Sequence, residues 1–166
     1  MPIRIALAAA AATMVVCLPL SVSRADPLIA RGEYLARIMD CGGCHTPGAL
    51  TGRPDMARYL AGSEVGFEIP GLGIFYPPNL TPDEKTGIGG WSEADIGRAL
   101  RTGERPDGRE LAPVMPWRAY AALAEEDVQA LVRYLKSLPP IAHQAPAMTG
   151  ADEPPAAPYL RVVMPK

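Results

Sequence analysis

The chain has 166 residues, 48% of them hydrophobic and 20% charged, with a formal charge of −2. That length suits a single domain with its own core. The mildly acidic balance offers no basic patch of the kind that binds nucleic acid.

Residues 1–25 are expected to be a secretory signal peptide. Arg4 supplies a positive start, Ile5 to Leu20 is an almost unbroken apolar run, and Ser23-Arg24-Ala25 places small residues at the two positions before a cut. A retained membrane anchor is the alternative, but the run is short beside the about 20 residues a spanning helix needs. Cys17 follows Val16 rather than a small residue, so it reads as part of the leader and not as a lipid-bearing cysteine. Cleavage after Ala25 would remove Arg4 and Arg24 and no acid, taking the formal charge from −2 to −4. It would leave Cys41 and Cys44 as the two remaining cysteines, too few for a disulfide framework even in an oxidising compartment. No later stretch is apolar for long enough to span a bilayer.

Pro27 to Met39 is expected to form the first helix. Proline suits a helix start, and Leu28, Leu35 and Ile38 recur at roughly helical spacing. Gly32 in its middle costs about 1 kcal/mol against alanine, so it needs a reason, of which a close crossing by another helix is one. The helix runs directly into Cys41-Gly42-Gly43-Cys44-His45. This C-x-x-C-H run is the form that attaches a c-type haem. Each thiol can add to a vinyl group of one porphyrin, and the histidine that follows is placed to ligate the iron. One such run implies one covalent haem.

Thr46 to Asn79 is rich in glycine and proline and has no sustained period, so it is expected to be a long loop. A structureless loop of that length is unusual in a compact domain, unless it wraps a bound group. Leu80 to Gly90 continues as turns. Trp91 to Thr102 is expected to be the second helix, with Ser92 and Asp95 as a capping box, Ile96, Ala99 and Leu100 as its apolar face, and Gly103 as its stop. Glu125 to Leu138 is the clearest helix. Val128, Leu131, Val132, Leu135 and Leu138 make its stripe, the acids of 125–127 suit its start, and Lys136 suits its end. Ala124 stands where a capping Ser or Thr would gain about 1 kcal/mol. Pro139-Pro140 stops the helix, and the Pro/Ala-rich tail beyond it is expected to be extended, partly disordered or laid over the domain.

A six-coordinate haem needs a second axial ligand. Met115 lies in Leu111-Ala-Pro-Val-Met-Pro-Trp117, where Pro113 and Pro116 stiffen the chain and hold it extended. The residues alone leave two roles open for Met115, the ligand or an ordinary gap-filler. His143 is the only other histidine outside the motif. A proline carbonyl often holds the second nitrogen of a ligating histidine, with Pro47, Pro54 and Pro70 as candidates. Asn79 and Tyr76 read as a turn asparagine and a core aromatic, with lining the haem edge or bonding a propionate as the alternative; Trp91 and Trp117 read as core or haem-packing residues ahead of a surface role in electron exit. Arg98 and Arg101 read as a solvated face, and Arg105 as a possible propionate or partner contact.

Short helix, C-x-x-C-H, long loop, helix, methionine loop and final helix follow one another here as in the class I c-type cytochromes. The chain resembles the single-haem domains of bacterial dehydrogenase cytochrome c subunits in Arg31-Gly-Glu-Tyr-Leu35, Tyr76-Pro-Pro-Asn-Leu-Thr-Pro-Asp83, Thr86-Gly-Ile-Gly-Gly-Trp91, Met115-Pro-Trp-Arg-Ala-Tyr120 and Glu126-Asp-Val-Gln-Ala-Leu-Val-Arg-Tyr-Leu135. The resemblance covers residues 28–141. It implies an all-α class I cytochrome c fold over residues 26–141, followed by a tail at 142–166. It also implies that Met115 is the distal ligand, and that Gly32 meets the Tyr134 aromatic where the first and last helices cross. The implied function is electron transfer in the bacterial periplasm by one covalent haem c, its iron held by His45 and Met115, with no catalysis of its own. Its partners would be redox proteins, a dehydrogenase as donor and an oxidase or cytochrome as acceptor. Dehydrogenase subunits usually string several such domains together, whereas this chain has one. Membership of such a complex is therefore the second reading. A haem with an open catalytic or sensing position is a third. A zinc or redox-thiol site is a fourth, hard to assemble from one cysteine pair and so few histidines.

Overall fold

The computed structural model describes residues 26–165. The expected signal peptide lies outside these residues. The elements are α1 (Pro27–Ile38), α2 (Cys41–His45), β1 (Gly66–Ile69), β2 (Gly73–Phe75), α3 (Glu93–Thr102), α4 (Trp117–Tyr120), α5 (Glu125–Ser137) and β3 (Tyr159–Leu160). Single 3-10 turns at Ala49–Thr51 and Met56–Arg58 follow α2. Among the described residues, no helix is long and apolar enough to cross a membrane.

The three helices expected from periodicity form, within two residues of the expected ends. Asp26 caps α1 by accepting from the Leu28 amide, with Pro27 next in line. Ser92 and Asp95 exchange the two bonds of a capping box at α3, and Gly103 ends that helix at φ 74°. Ala124 has the extended geometry of a cap but no side-chain bond to give, so α5 starts on the acids Glu125, Glu126 and Asp127 alone.

Helices α1 and α5 cross at Gly32. A Cβ there would overlap the Ala130 carbonyl and the Tyr134 side chain, so only hydrogen fits. The mid-helix glycine is explained by this approach. Arg31 and Asp127 join the two helices beside the crossing with a two-pronged ion pair, 2.8 and 3.2 Å. Beneath it lies the core, with Leu35 and Ala36 of α1, Ile96 of α3 and Val128, Leu131, Val132 and Leu135 of α5, closed by Leu60 and Ile88 from the loops. Each large side chain buried there stabilises the fold by roughly 1.5–3 kcal/mol. Lys136 reaches past its own helix end and donates to the Gly89 and Trp91 carbonyls at 2.9 and 2.8 Å, fastening the approach to α3.

The all-α expectation needs correcting: the chain also forms a small three-stranded sheet of order β2-β1-β3. Strands β1 and β2 are a hairpin inside the stretch read as loop, and β3 comes from the tail, parallel to β1 with Gly66 opposite Tyr159. Four, three and two residues are too few to show an alternating pattern, and β3 pairs with a strand about ninety residues away. The tail is laid across the domain. The Tyr76 hydroxyl donates to the Ala157 carbonyl and accepts from the Ala157 amide, Thr149 bridges to Ile74, and Arg161 forms an ion pair with Glu68.

Candidate functional site

Asp40 ends α1 in the left-handed region, φ 54°, and swings the chain into the single turn of α2. On that turn Cys41 and Cys44 stand three apart and His45 four from Cys41, so the three side chains share one side of the helix. Gly42 is required by packing, since a Cβ there would press into the Tyr59 ring. Burial pushes the Cys41 thiol up to about 11 and raises that of Cys44, which keeps both protonated. No disulfide joins them.

His45 is only 6% exposed. Burial lowers its pKa, against an opposing contribution from its hydrogen bond to a carbonyl, so the ring is neutral. Its Nδ1 lies 2.8 Å from the Pro78 carbonyl oxygen. A carbonyl only accepts, so the proton sits on Nδ1 and Nε2 keeps its lone pair, the tautomer needed for ligation through Nε2. The proline is none of the three candidates drawn from the sequence. Pro47 uses its carbonyl on the Asp55 amide, and Pro78 lies thirty-three residues from His45, beyond what spacing can suggest.

A cavity of about 960 Å³ opens beside this turn. Cys41, Cys44, His45 and Met115 all line it. Its size sits at the upper end of the roughly 300–1,000 Å³ typical of cofactor sites. Met115 is half-buried on a loop folded on itself, its amide donating to Ala112 and its carbonyl accepting from Trp117. Met39 and Met148 also reach the wall, whereas Met56 and Met164 stand in solvent. His143 is not on the wall; its Nδ1 is 2.7 Å from the Ala61 carbonyl and its amide donates to Thr86.

The remaining wall is mostly apolar, including Ile88, Trp91, Ile96, Leu100, Leu131 and Leu135. Arg105 also lines it, stacked on the Trp91 ring at 5.5 Å. Its Nε is buried without a hydrogen bond among the described residues, with Asp107 at ion-pair distance of 3.4 Å. An unsatisfied buried donor costs about 1–3 kcal/mol, and an acidic group inside the cavity would satisfy it. Haem propionates have that chemistry, so the thiol pair, the neutral imidazole, the thioether and this cation together fit a c-type haem. Arg98 instead pairs with Asp95 at the surface, as the sequence suggested, whereas Arg101 is half-buried, its terminal nitrogen pairing with Glu125 and its Nε buried without a hydrogen bond among the described residues. Trp117 packs on Gly103 and stacks under Arg118. Asn79 is more than a turn residue: it is 1% exposed, borders the cavity and bonds to both Thr81 and the tail.

Residues 29–139 match the family described as Cytochrome c. The chain is 40% identical over 120 residues to the cytochrome c subunit of an alcohol dehydrogenase (quinone) from Gluconobacter oxydans, a match covering 72% of this chain and 23% of that protein. It is 40% identical over 118 residues to the fructose dehydrogenase cytochrome subunit of Gluconobacter japonicus, covering 70% and 22%. It is 40% identical over 109 residues to the gluconate 2-dehydrogenase cytochrome c subunit of Pantoea cypripedii, covering 66% and 23%. The chain thus spans under a quarter of the length of these curated relatives.

Proposed function

Since this chain belongs to the cytochrome c family, whose members bind haem c covalently, we propose that it is a periplasmic electron carrier with class I architecture, holding one haem through Cys41 and Cys44 with His45 and Met115 as axial ligands. The observation that carries the reading is the convergence of these four side chains on one cavity, with His45 buried and neutral. The unit is residues 26–141 with its tail at 142–166, delivered by a signal peptide at 1–25.

The bound haem supplies a one-electron iron couple. The chain's residues set its conditions. Cys41 and Cys44 anchor the group so that it stays put through every cycle. His45, fixed by the Pro78 carbonyl, presents a basic nitrogen in one orientation. Met115 presents a soft thioether, which favours the reduced metal and raises the potential compared with a second histidine. Leu131, Leu135, Ile88 and Ile96 keep water from the cavity wall and disfavour the more charged state. Arg105, whose Nε makes no hydrogen bond among the described residues and has Asp107 at 3.4 Å, is the cation on the cavity wall that would receive a propionate.

A second reading, a subunit of a periplasmic dehydrogenase, is favoured by the relatives, each named as a dehydrogenase cytochrome subunit. The haem chemistry would be the same and the donor permanent, so co-purification at high salt separates the two. The ligand set is tested by absorption spectra of the oxidised and reduced protein beside Met115→Ala. A weak near-infrared band in the oxidised protein, absent in the variant, is the expected result. An unchanged spectrum would remove Met115 from the iron, and ready binding of CO to the unmodified protein would favour the open-site reading.

A further inference from the structure

The cytochrome fold as read from sequence ends with α5, yet the segment after it reaches into the site. Ile141 offers its carbonyl to Asn79 Nδ2 at 2.7 Å, and the His143 amide donates to Thr86 Oγ1 at 3.1 Å. The Ile141 amide donates to Thr81 Oγ1 at 3.1 Å. Thr81 is fully buried, and its amide and hydroxyl both donate to Asn79 Oδ1, at 2.9 and 2.8 Å. Asn79 therefore has its acceptor end tied to its own loop, while its donor end reaches the tail at the Ile141 carbonyl and also donates to Thr86 Oγ1 at 3.1 Å. Buried side chains of this kind hold their neighbours because every alternative position leaves a polar group unpaired.

The residue before Asn79 is Pro78, whose carbonyl accepts from His45 Nδ1. The peptide that joins them cannot turn without moving the Asn79 backbone. On its other side the loop is held by the Ser63 amide on the Pro77 carbonyl. We infer that Asn79 is a positioning residue for the axial histidine, and that the segment 141–143 completes the site by holding Asn79, and through it the Pro78 carbonyl, against His45. The inference rests on His45 being the iron ligand. A weaker bond to Nδ1 makes the imidazole a poorer donor to ferric iron. Loss of the brace should thus raise the potential and loosen the ring, while leaving the thioethers untouched.

The test uses the haem-loaded protein, its Asn79→Ala variant and a form ending at Pro140. Three quantities are read: covalent haem content, midpoint potential, and exchange of the His45 Nδ1 proton by NMR. With the brace real, haem content stays at one per chain in all three, Asn79→Ala raises the potential, and Nδ1–H exchange becomes about tenfold faster in both altered forms. The shortened chain is decisive, because it leaves Asn79, Pro78 and His45 unaltered. Exchange equal to that of the full chain would overturn the inference, whereas absence of covalent haem from the unaltered protein would overturn the ligand assignment beneath it. Should the shortened chain not fold, Ile141→Pro removes the amide by which the tail donates to Thr81 and leaves the side chains of Asn79, Thr81 and Thr86 in place, and the same acceleration or its absence decides.

Discussion

The two sides of the cavity are built by opposite means. His45 projects from a helical turn wedged against the core, is 6% exposed, and has its Nδ1 tied to a carbonyl thirty-three residues away. Met115 rides on a surface loop whose neighbours Pro113, Val114 and Pro116 are exposed, and its backbone bonds reach only Ala112 and Trp117. One side is fixed by long-range structure, the other by two prolines and a turn. The difference teaches that the histidine side is inseparable from the fold, whereas the methionine side can be altered with the fold intact.

The strongest way to break this contrast is at the anchors. Cys41→Ser with Cys44→Ser should abolish covalent attachment, read as loss of haem from the polypeptide on denaturing electrophoresis. Met115→Ala comes next. It should remove the near-infrared band and lower the potential while shifting the melting temperature little, because the loop is exposed; a collapse of the fold would place Met115 in the core instead. Gly32→Ala strikes the scaffold under the histidine side. Overpacking against Ala130 and Tyr134 should cost about 3 kcal/mol in denaturant unfolding. Ala124→Ser should sharpen the same side in the opposite sense, supplying the missing cap of α5 and gaining about 1 kcal/mol.

The smallest effect concerns acid. The Arg31 guanidinium holds the Asp127 carboxyl below the ordinary aspartate range. A depressed native value means the pair stabilises above the unfolded pKa and is lost as pH falls through the native one. Asp127→Asn should therefore flatten the pH dependence of stability below about pH 4 and leave neutral-pH spectra unchanged. An acid-unfolding curve identical to that of the unaltered protein would show that the pair contributes nothing.

The three main helices were legible because each is long and periodic, with caps from nearby residues at α1 and α3 and an acidic first turn at α5. The C-x-x-C-H turn was legible for the same reason, since its chemistry lies within five consecutive residues. Met115 could be picked out only by its prolines and by resemblance; from the residues alone it remained as good a gap-filler as a ligand. Pro78 was missed because nothing local distinguishes its carbonyl from that of Pro47, and the bond is chosen by tertiary approach. The sheet was missed because its strands are shorter than one readable period. Asn79 was undervalued because its bond to Thr81 is an ordinary turn contact, and only the fold adds the tail.

The crossing of α1 on α5 also bears on timing. Arg31 and Asp127 are ninety-six residues apart. A contact of such sequence separation cannot form until the later partner has been made, and closing the loop between them costs conformational entropy. A growing chain has displayed Cys41 to His45 long before Asp127 emerges. Until it does, the face of α1 around Gly32 has no partner, and the neighbouring thiols remain open to a modifying enzyme. By delaying closure to its last helix, the topology leaves an interval in which attachment can precede folding.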